Sequence, residues 1–211
     1  MIEIEKKFIL NEEEKRRIIK NTQFLGNKIF TDVYYDKKDY SLTLKDFWLR
    51  FRDGTAELKI PLKKENNTFI NQYEEIIDED KIRQKINVQK SSISLINDLT
   101  SNNYIPFCKC KITRTKYKNN IFSIDLDFVD FDDFTYNIAE IEIMVENEKD
   151  IDDAVRKINN FAKENNFKID SVRGKVIEYI NRKILNFITN SRLRELLKNN
   201  LFCNIFISIA L

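Results

Sequence analysis

Five short stretches of this chain repeat one arrangement, in which polar or charged side chains at i and i+2 flank a bulky apolar residue. They are Glu3-Ile4-Glu5, Trp48-Leu49-Arg50-Phe51-Arg52, Glu57-Leu58-Lys59, Asp125-Leu126-Asp127 and Glu140-Ile141-Glu142. Successive side chains of a strand point to opposite faces, so each stretch is a strand with one apolar face and one charged face. A sheet made of them buries the first face and gathers formal charges on the second.

Turn chemistry joins these faces. Asp53-Gly54 is a strong two-residue hairpin signal, and it sets Arg52 opposite Thr55, Arg50 opposite Glu57 and Trp48 opposite Lys59. Opposed residues share a face, so Trp48, Arg50, Arg52, Glu57 and Lys59 project together. A second turn at Asn119-Asn120, read as a two-residue loop, sets Arg114 opposite Asp125 on the charged face. Strand-like alternation covers about 2–9, 29–35, 46–52, 55–62, 68–77, 106–117, 121–130 and 136–145, roughly eight strands. Helical patterns fall at about 11–20, with Asn11 as N-cap, and at about 78–98, 150–165 and 171–198. No repeat or proline-rich linker divides them. The chain reads as one α+β domain over 1–190, followed by a tail at 191–211 whose apolar end, 201–211, is too short for a membrane helix.

Composition narrows the chemistry. The 211 residues include no His, which removes the Ser-His-Asp triad, the Cys-His dyad and His zinc ligands together. Three Gly cannot build a Walker A or G-x-G-x-x-G loop, so a phosphate site here must use side chains. Cys108, Cys110 and Cys203 are too few for a disulfide framework or a four-cysteine zinc site. No apolar signal segment follows Met1, and a cytoplasmic location is the expectation. A net charge of +2 argues against a globally basic nucleic-acid binder, although 33% of residues are charged.

The charged face is unusual in what it holds. A merely wet face collects Thr, Ser, Gln, Asn and Lys, whereas this one carries the carboxylates Glu3, Glu5, Asp125, Asp127, Glu140 and Glu142 with closely spaced Arg. Crowded carboxylates repel unless cations compensate them. Arg and Lys supply part of that charge, and a hard divalent ion, Mg2+ or Mn2+, suits an all-oxygen donor set. Carboxylates for the metal beside cations for phosphate oxygens are what a polyphosphate with bound Mg2+ requires. Closing about eight strands into a barrel turns the charged face into a lumen, with the helices packed outside.

Glu3-Ile4-Glu5-Lys6-Lys7 resembles the Glu-x-Glu-x-Lys signature of the triphosphate tunnel metalloenzymes, the CYTH superfamily. The ordered set that follows is more specific: Tyr34-Tyr35-Asp36, Trp48 to Arg52, Glu57-Leu58-Lys59, Tyr73-Glu74-Glu75, Arg114, Asp125-Leu126-Asp127, Glu140-Ile141-Glu142 and Lys175. Within the superfamily the chain is most similar to the thiamine triphosphatases, through Asp32-Val33-Tyr34-Tyr35-Asp36, Phe47-Trp48-Leu49-Arg50 and the spacing of the two late carboxylate pairs. It departs in its apolar tail, and in Lys6, an outward-facing residue where Arg is expected.

The resemblance implies an eight-stranded antiparallel tunnel that hydrolyses a small-molecule triphosphate with a divalent metal, Mg2+ or Mn2+. It casts Lys7, Arg50, Arg52, Lys59, Arg114 and Lys175 as phosphate ligands. Glu3, Glu5, Asp125, Asp127, Glu140 and Glu142 become metal or water-activating carboxylates, with Glu75 a further candidate. Glu3, Glu5 and Lys7 are then the catalytic group, and Glu57 orients Arg50. Trp48 offers an indole face to a thiazolium ring, which makes thiamine triphosphate the leading substrate. Inorganic tripolyphosphate is the alternative, and a non-catalytic module for polyphosphate or nucleotide is the reading from another class. Neither nucleic acid nor membrane is expected as a partner. With no His, a carboxylate or the metal must take the proton of the attacking water, and which carboxylate does so stays open.

Overall fold

The computed structural model describes residues 2–62, 71–168, 172–184 and 191–196. The apolar tail, Cys203 and parts of the helix expected over 171–198 lie outside the described residues. The strands are β1 (Ile2–Phe8), β2 (Gln23–Asp36), β3 (Trp48–Arg52), β4 (Thr55–Pro61), β5 (Asn71–Ile76), β6 (Ile105–Lys118), β7 (Ser123–Asp130) and β8 (Thr135–Val145). They close into a barrel in the order β1-β5-β4-β3-β2-β6-β7-β8, and the paired strands run antiparallel. The helices are α1 (Glu12–Ile19), α2 (Glu79–Ile86), α3 (Leu95–Ser101), α4 (Ile151–Glu164) and α5 (Lys175–Tyr179), which runs into a π-helical turn at Ile180–Ile184, and a further helical stretch covers 191–196.

Two compact units make up the chain. The first comprises Met1–Phe30, Leu62–Glu74 and Lys111–Lys175. Its core lies between α4 and one face of β1, β7 and β8, where Ala154, Ile158 and Ala162 meet Ile4, Phe8, Ile124 and Ile141. Burying each large aliphatic here is worth about 1.5–3 kcal/mol. Lys6 shares that outward face, as expected, and is buried there with Nζ donating to Asn159 Oδ1 at 3.1 Å. Burial lowers its pKa. Asn11 caps α1: its side chain accepts from Glu14 N at 2.9 Å, and the Glu14 carboxylate accepts from Asn11 N at 2.8 Å.

The second unit comprises Thr31–Pro61, Glu75–Cys110 and Val176–Leu211. Leu49 and Leu58 pack against Ile82, Ile86, Leu95 and Leu99 of α2 and α3. The helix expected over 78–98 is two helices, because Asn87 adopts a left-handed conformation (φ 56°) that ends α2. Asp98 stabilises the connection, accepting from Ser91 N and Oγ at 3.1 and 2.8 Å and from Arg83 Nε at 2.8 Å.

The Asp53-Gly54 hairpin has the expected register, with Arg50 opposite Glu57 and Trp48 opposite Lys59. The β6–β7 connection differs. Lys118 pairs with Ser123, leaving a four-residue loop, so Arg114 lies opposite Asp127 and Lys116 opposite Asp125. The Asn119 side chain sustains that loop by accepting from the backbone N–H groups of Ile121 and Phe122, and Phe122 is buried in the core. Two extra loop residues preserve the alternation, so Arg114 keeps its face.

Candidate active site

In each unit the residues that alternate with the helix-covered positions point to the inside of the barrel. An eight-stranded barrel has an interior just wide enough for side chains or one small ligand, and in each unit most of the inward positions described below are charged.

In the first unit, β1 contributes Glu3, Glu5 and Lys7, β6 contributes Arg114 and Lys116, β7 contributes Asp125 and Asp127, and β8 contributes Glu140 and Glu142. The Arg114 guanidinium donates from Nε to Asp127 Oδ1 and from Nη2 to Asp127 Oδ2, both at 2.7 Å. It also donates to Glu140 Oε2 at 3.0 Å and to Asp125 Oδ2. Its ring-facing side lies 5.5 Å from the Phe30 centroid. Lys175, the first residue of α5, donates to Glu140 Oε1 at 2.7 Å and Asp127 Oδ2 at 2.9 Å. Burial would raise the Glu140 carboxyl, but Lys175, Lys7 and Arg114 outweigh it and hold it well below the usual carboxylate range. Lys7 pairs with Glu5, and its stem runs past Gly174, where an added Cβ would stand 3.4 Å from Lys7 Cε.

At the other end of this cluster the balance reverses. Glu142 is pushed up to about 7, by burial and by the charges of Asp125 and Glu3. Asp125 is fully buried, and its Oδ1 accepts no hydrogen bond. Lys116, which sequence reasoning did not single out, brings its Nζ to 3.2 Å from that oxygen and 3.7 Å from Glu142 Oε1. Its signal was its position two residues beyond Arg114 on the same face.

In the second unit, Arg50 donates from Nε to Glu57 Oε2 at 2.7 Å and lies 3.5 Å from both Asp32 and Glu75. Glu57 orients this guanidinium as the hairpin register implies. Arg52 makes a two-pronged contact with Asp32, Nε to Oδ1 at 2.8 Å and Nη2 to Oδ2 at 2.9 Å. Asp32 is fully buried, and its holding of Arg52 was not foreseen. Its alternation with Tyr34, which pairs with Arg50 as Asp32 does with Arg52, could have revealed it. Lys59 sits opposite Trp48. Trp48 is buried, and its indole N–H donates to Asp46 Oδ1 at 2.8 Å. Asp36 ties down the loop that leads to Trp48 by accepting from the backbone of Lys37, Leu42 and Thr43 and from the Thr43 hydroxyl.

Among the described residues, no three Asp, Glu or Cys side chains converge on a single coordination point. In the first unit Arg114, Lys116 and Lys175 are drawn in between the carboxylates instead. No helix among the described residues is long and apolar enough to cross a membrane.

Compared with known families, residues 1–173 match the CYTH domain. Among solved structures, a protein of Pyrococcus horikoshii OT3, PH1819, is 22% identical with a TM-score of 0.59, over 79% of this chain and 91% of that one. A Hippeastrum protein described as having a dominant triphosphatase activity is 13% identical with a TM-score of 0.52, over 85% of this chain and 94% of that one. A chain of the Schizosaccharomyces pombe Mediator head module is 10% identical with a TM-score of 0.50, over 78% of this chain and 94% of that one. These likenesses establish a shared fold.

Proposed function

From the premise that the chain belongs to the CYTH domain family, we propose that it hydrolyses the terminal phosphoanhydride bond of a small-molecule triphosphate, and that thiamine triphosphate is that molecule. The observation that carries the reading is the treatment of the inner-face cations. Arg50, Arg52, Arg114 and Lys175 are each held by carboxylates that fix their direction. Cations preorganised in this way suit a ligand whose charge lies along a chain of phosphates. A non-catalytic anion binder gains nothing from Glu3 and Glu5 on the same face, which speaks for turnover.

Lys7, Arg50, Arg52, Lys59, Arg114 and Lys175 take the phosphate oxygens in this reading. Metal dependence is general among CYTH tunnel enzymes, and the donor set here fits a hard divalent ion. All the candidate ligands are oxygens, and buried Asp125 Oδ1 has no hydrogen bond to lose. Glu3, Glu5, Asp125, Glu140 and Glu142 are the residues that hold it, and Mg2+ is the proposed ion. When bound, the metal supplies charge neutralisation at the phosphates. Asp127, which receives both prongs of the Arg114 guanidinium as well as Lys175, acts by keeping those two cations aimed. A carboxylate of the Glu3–Glu142 end accepts the proton of the attacking water, and in-line displacement at the terminal phosphorus follows. The domain is assigned to 1–190 and the protein to the cytoplasm.

Burial of Trp48 and its bond to Asp46 favour a second reading, in which the indole is structural and the substrate is inorganic tripolyphosphate. Phosphate release from thiamine triphosphate, tripolyphosphate and ATP, measured side by side with Mg2+ and with Mn2+, separates the two. Release from none of them rejects hydrolysis and leaves a binding module.

A further inference from the structure

The first unit's charged face has two ends of unlike character. Arg114 and Lys175 sit among Asp125, Asp127 and Glu140, with side chains only 13% and 6% exposed, and their contacts leave them little freedom to move. At the other end Glu3, Asp125 and Glu142 share a neighbourhood, and the ammonium drawn to it is that of Lys116. This side chain is 30% exposed and lies on a flexible four-carbon stem, so it can withdraw where the other two cannot.

The geometry is that of a displaceable ion. Lys116 Nζ stands 3.2 Å from Asp125 Oδ1 and 3.7 Å from Glu142 Oε1, between two carboxylates set diagonally on neighbouring strands, where Asp125 lies opposite Glu140 and Glu142 opposite Ser123. Asp125 Oδ1 accepts no hydrogen bond even so, which leaves a buried anionic oxygen with a Coulomb contact alone. A compact point charge lodged there stands where a hard cation would otherwise gather the same oxygens.

We propose that Lys116 is a built-in counter-cation of the catalytic face: its ammonium holds the Asp125–Glu142 position against divalent metal and thereby limits how many ions the chain binds and how tightly. The inference rests on the reading of this face as a metal-dependent triphosphate site. It adds a residue that sets the metal requirement.

The test is a Mn2+ titration without substrate, reading free Mn2+ by its paramagnetic resonance signal, on wild type, Lys116→Met and Lys116→Arg. Removing one positive charge a few ångströms from a divalent ion is expected to tighten Mn2+ binding by about tenfold or more, or to add one ion per chain, in Lys116→Met. Lys116→Arg should bind as wild type does. Lys116→Gln, made in parallel, gives the same readout if Met disturbs the packing. Mn2+ binding that is unchanged or weaker in both neutral variants overturns the proposal, as does a lack of Mn2+ uptake by all four proteins. Phosphate release by wild type is measured separately. Its absence counts against the proposed hydrolysis and leaves the metal comparison standing.

Discussion

Arg114 and Asp127 face each other across the β6–β7 ladder and are joined by two parallel hydrogen bonds of 2.7 Å. Lys175 completes the arrangement by donating to Asp127 Oδ2 from outside the ladder. One buried carboxylate thus fixes two cations that come from distant parts of the chain. Its contribution to function is the direction in which those cations point.

Asp127→Asn is therefore expected to lower phosphate release by about 10–100-fold, the equivalent of one lost charge-assisted contact at about 1.5–3 kcal/mol. Metal affinity should change little, because Asp127 is already committed to both prongs of Arg114 and to Lys175. A loss of Mn2+ binding as large as the loss of turnover would make Asp127 a metal ligand instead.

Glu3 and Glu5 are buried on the inner face of β1, away from the Ile4 and Phe8 core. Changing both to Gln should abolish phosphate release while the melting temperature holds or rises, since the substitution removes like charges from beside Glu142. Wild-type turnover in the double variant would exclude the pair from the mechanism.

Arg52 and its clamp Asp32 separate phosphate recognition from substrate identity. Arg52→Ala should weaken hydrolysis of thiamine triphosphate, tripolyphosphate and ATP by similar factors, because the lost contact is to the phosphate chain they share. A selective effect on thiamine triphosphate would place Arg52 at the organic end.

Asp98 governs stability in acid. Burial alone would raise its carboxyl, but the bonds from Ser91 and Arg83 outweigh burial and hold it well below the usual carboxylate range. A carboxyl whose folded pKa lies below its unfolded value of about 3.9 contributes stability that is present above that pH and is lost as pH falls below it. The melting temperature should therefore drop as pH falls below about 4, and Asp98→Asn should flatten this part of the profile while lowering stability at neutral pH. An unchanged acid slope in the variant would assign the loss to other carboxylates.

How much of this was legible in the sequence depended on which interaction fixed the register. Two residues, Asp53 and Gly54, decide the β3–β4 hairpin by their own backbone preference, and from them Arg50 to Glu57 and Trp48 to Lys59 follow directly. The β6–β7 loop is decided by the Asn119 side chain and by burial of Phe122, a tertiary event that spacing alone does not report. Arg114 therefore stayed on the right face with a different partner. The extension of β2 back to Gln23 was missed because residues 23–29 are largely exposed and show no alternation to read. Lys116 was masked by composition: in a Lys-rich chain its one signal, the i+2 spacing from Arg114, gains weight only once its neighbours are known.

Trp48 decides between the two substrate readings, and its surroundings sharpen the test. Its N–H is anchored to Asp46, so one edge of the indole is fixed while Lys59 lies opposite it in the hairpin. If the ring face meets a thiazolium, Trp48→Ala should depress hydrolysis of thiamine triphosphate by roughly 2–30-fold, the factor that follows from about 0.5–2 kcal/mol of cation–π contact. Tripolyphosphate has no ring and should be hydrolysed nearly as before. Because the residue is buried, truncation can also destabilise the unit around it, so matched melting of variant and wild type is the necessary control. Asp46→Asn supplies an independent check: it keeps the indole in place but removes a negative charge beside it, and should weaken only the cationic substrate. Equal losses on both substrates in a folded Trp48→Ala protein reject thiamine triphosphate and leave tripolyphosphate as the substrate.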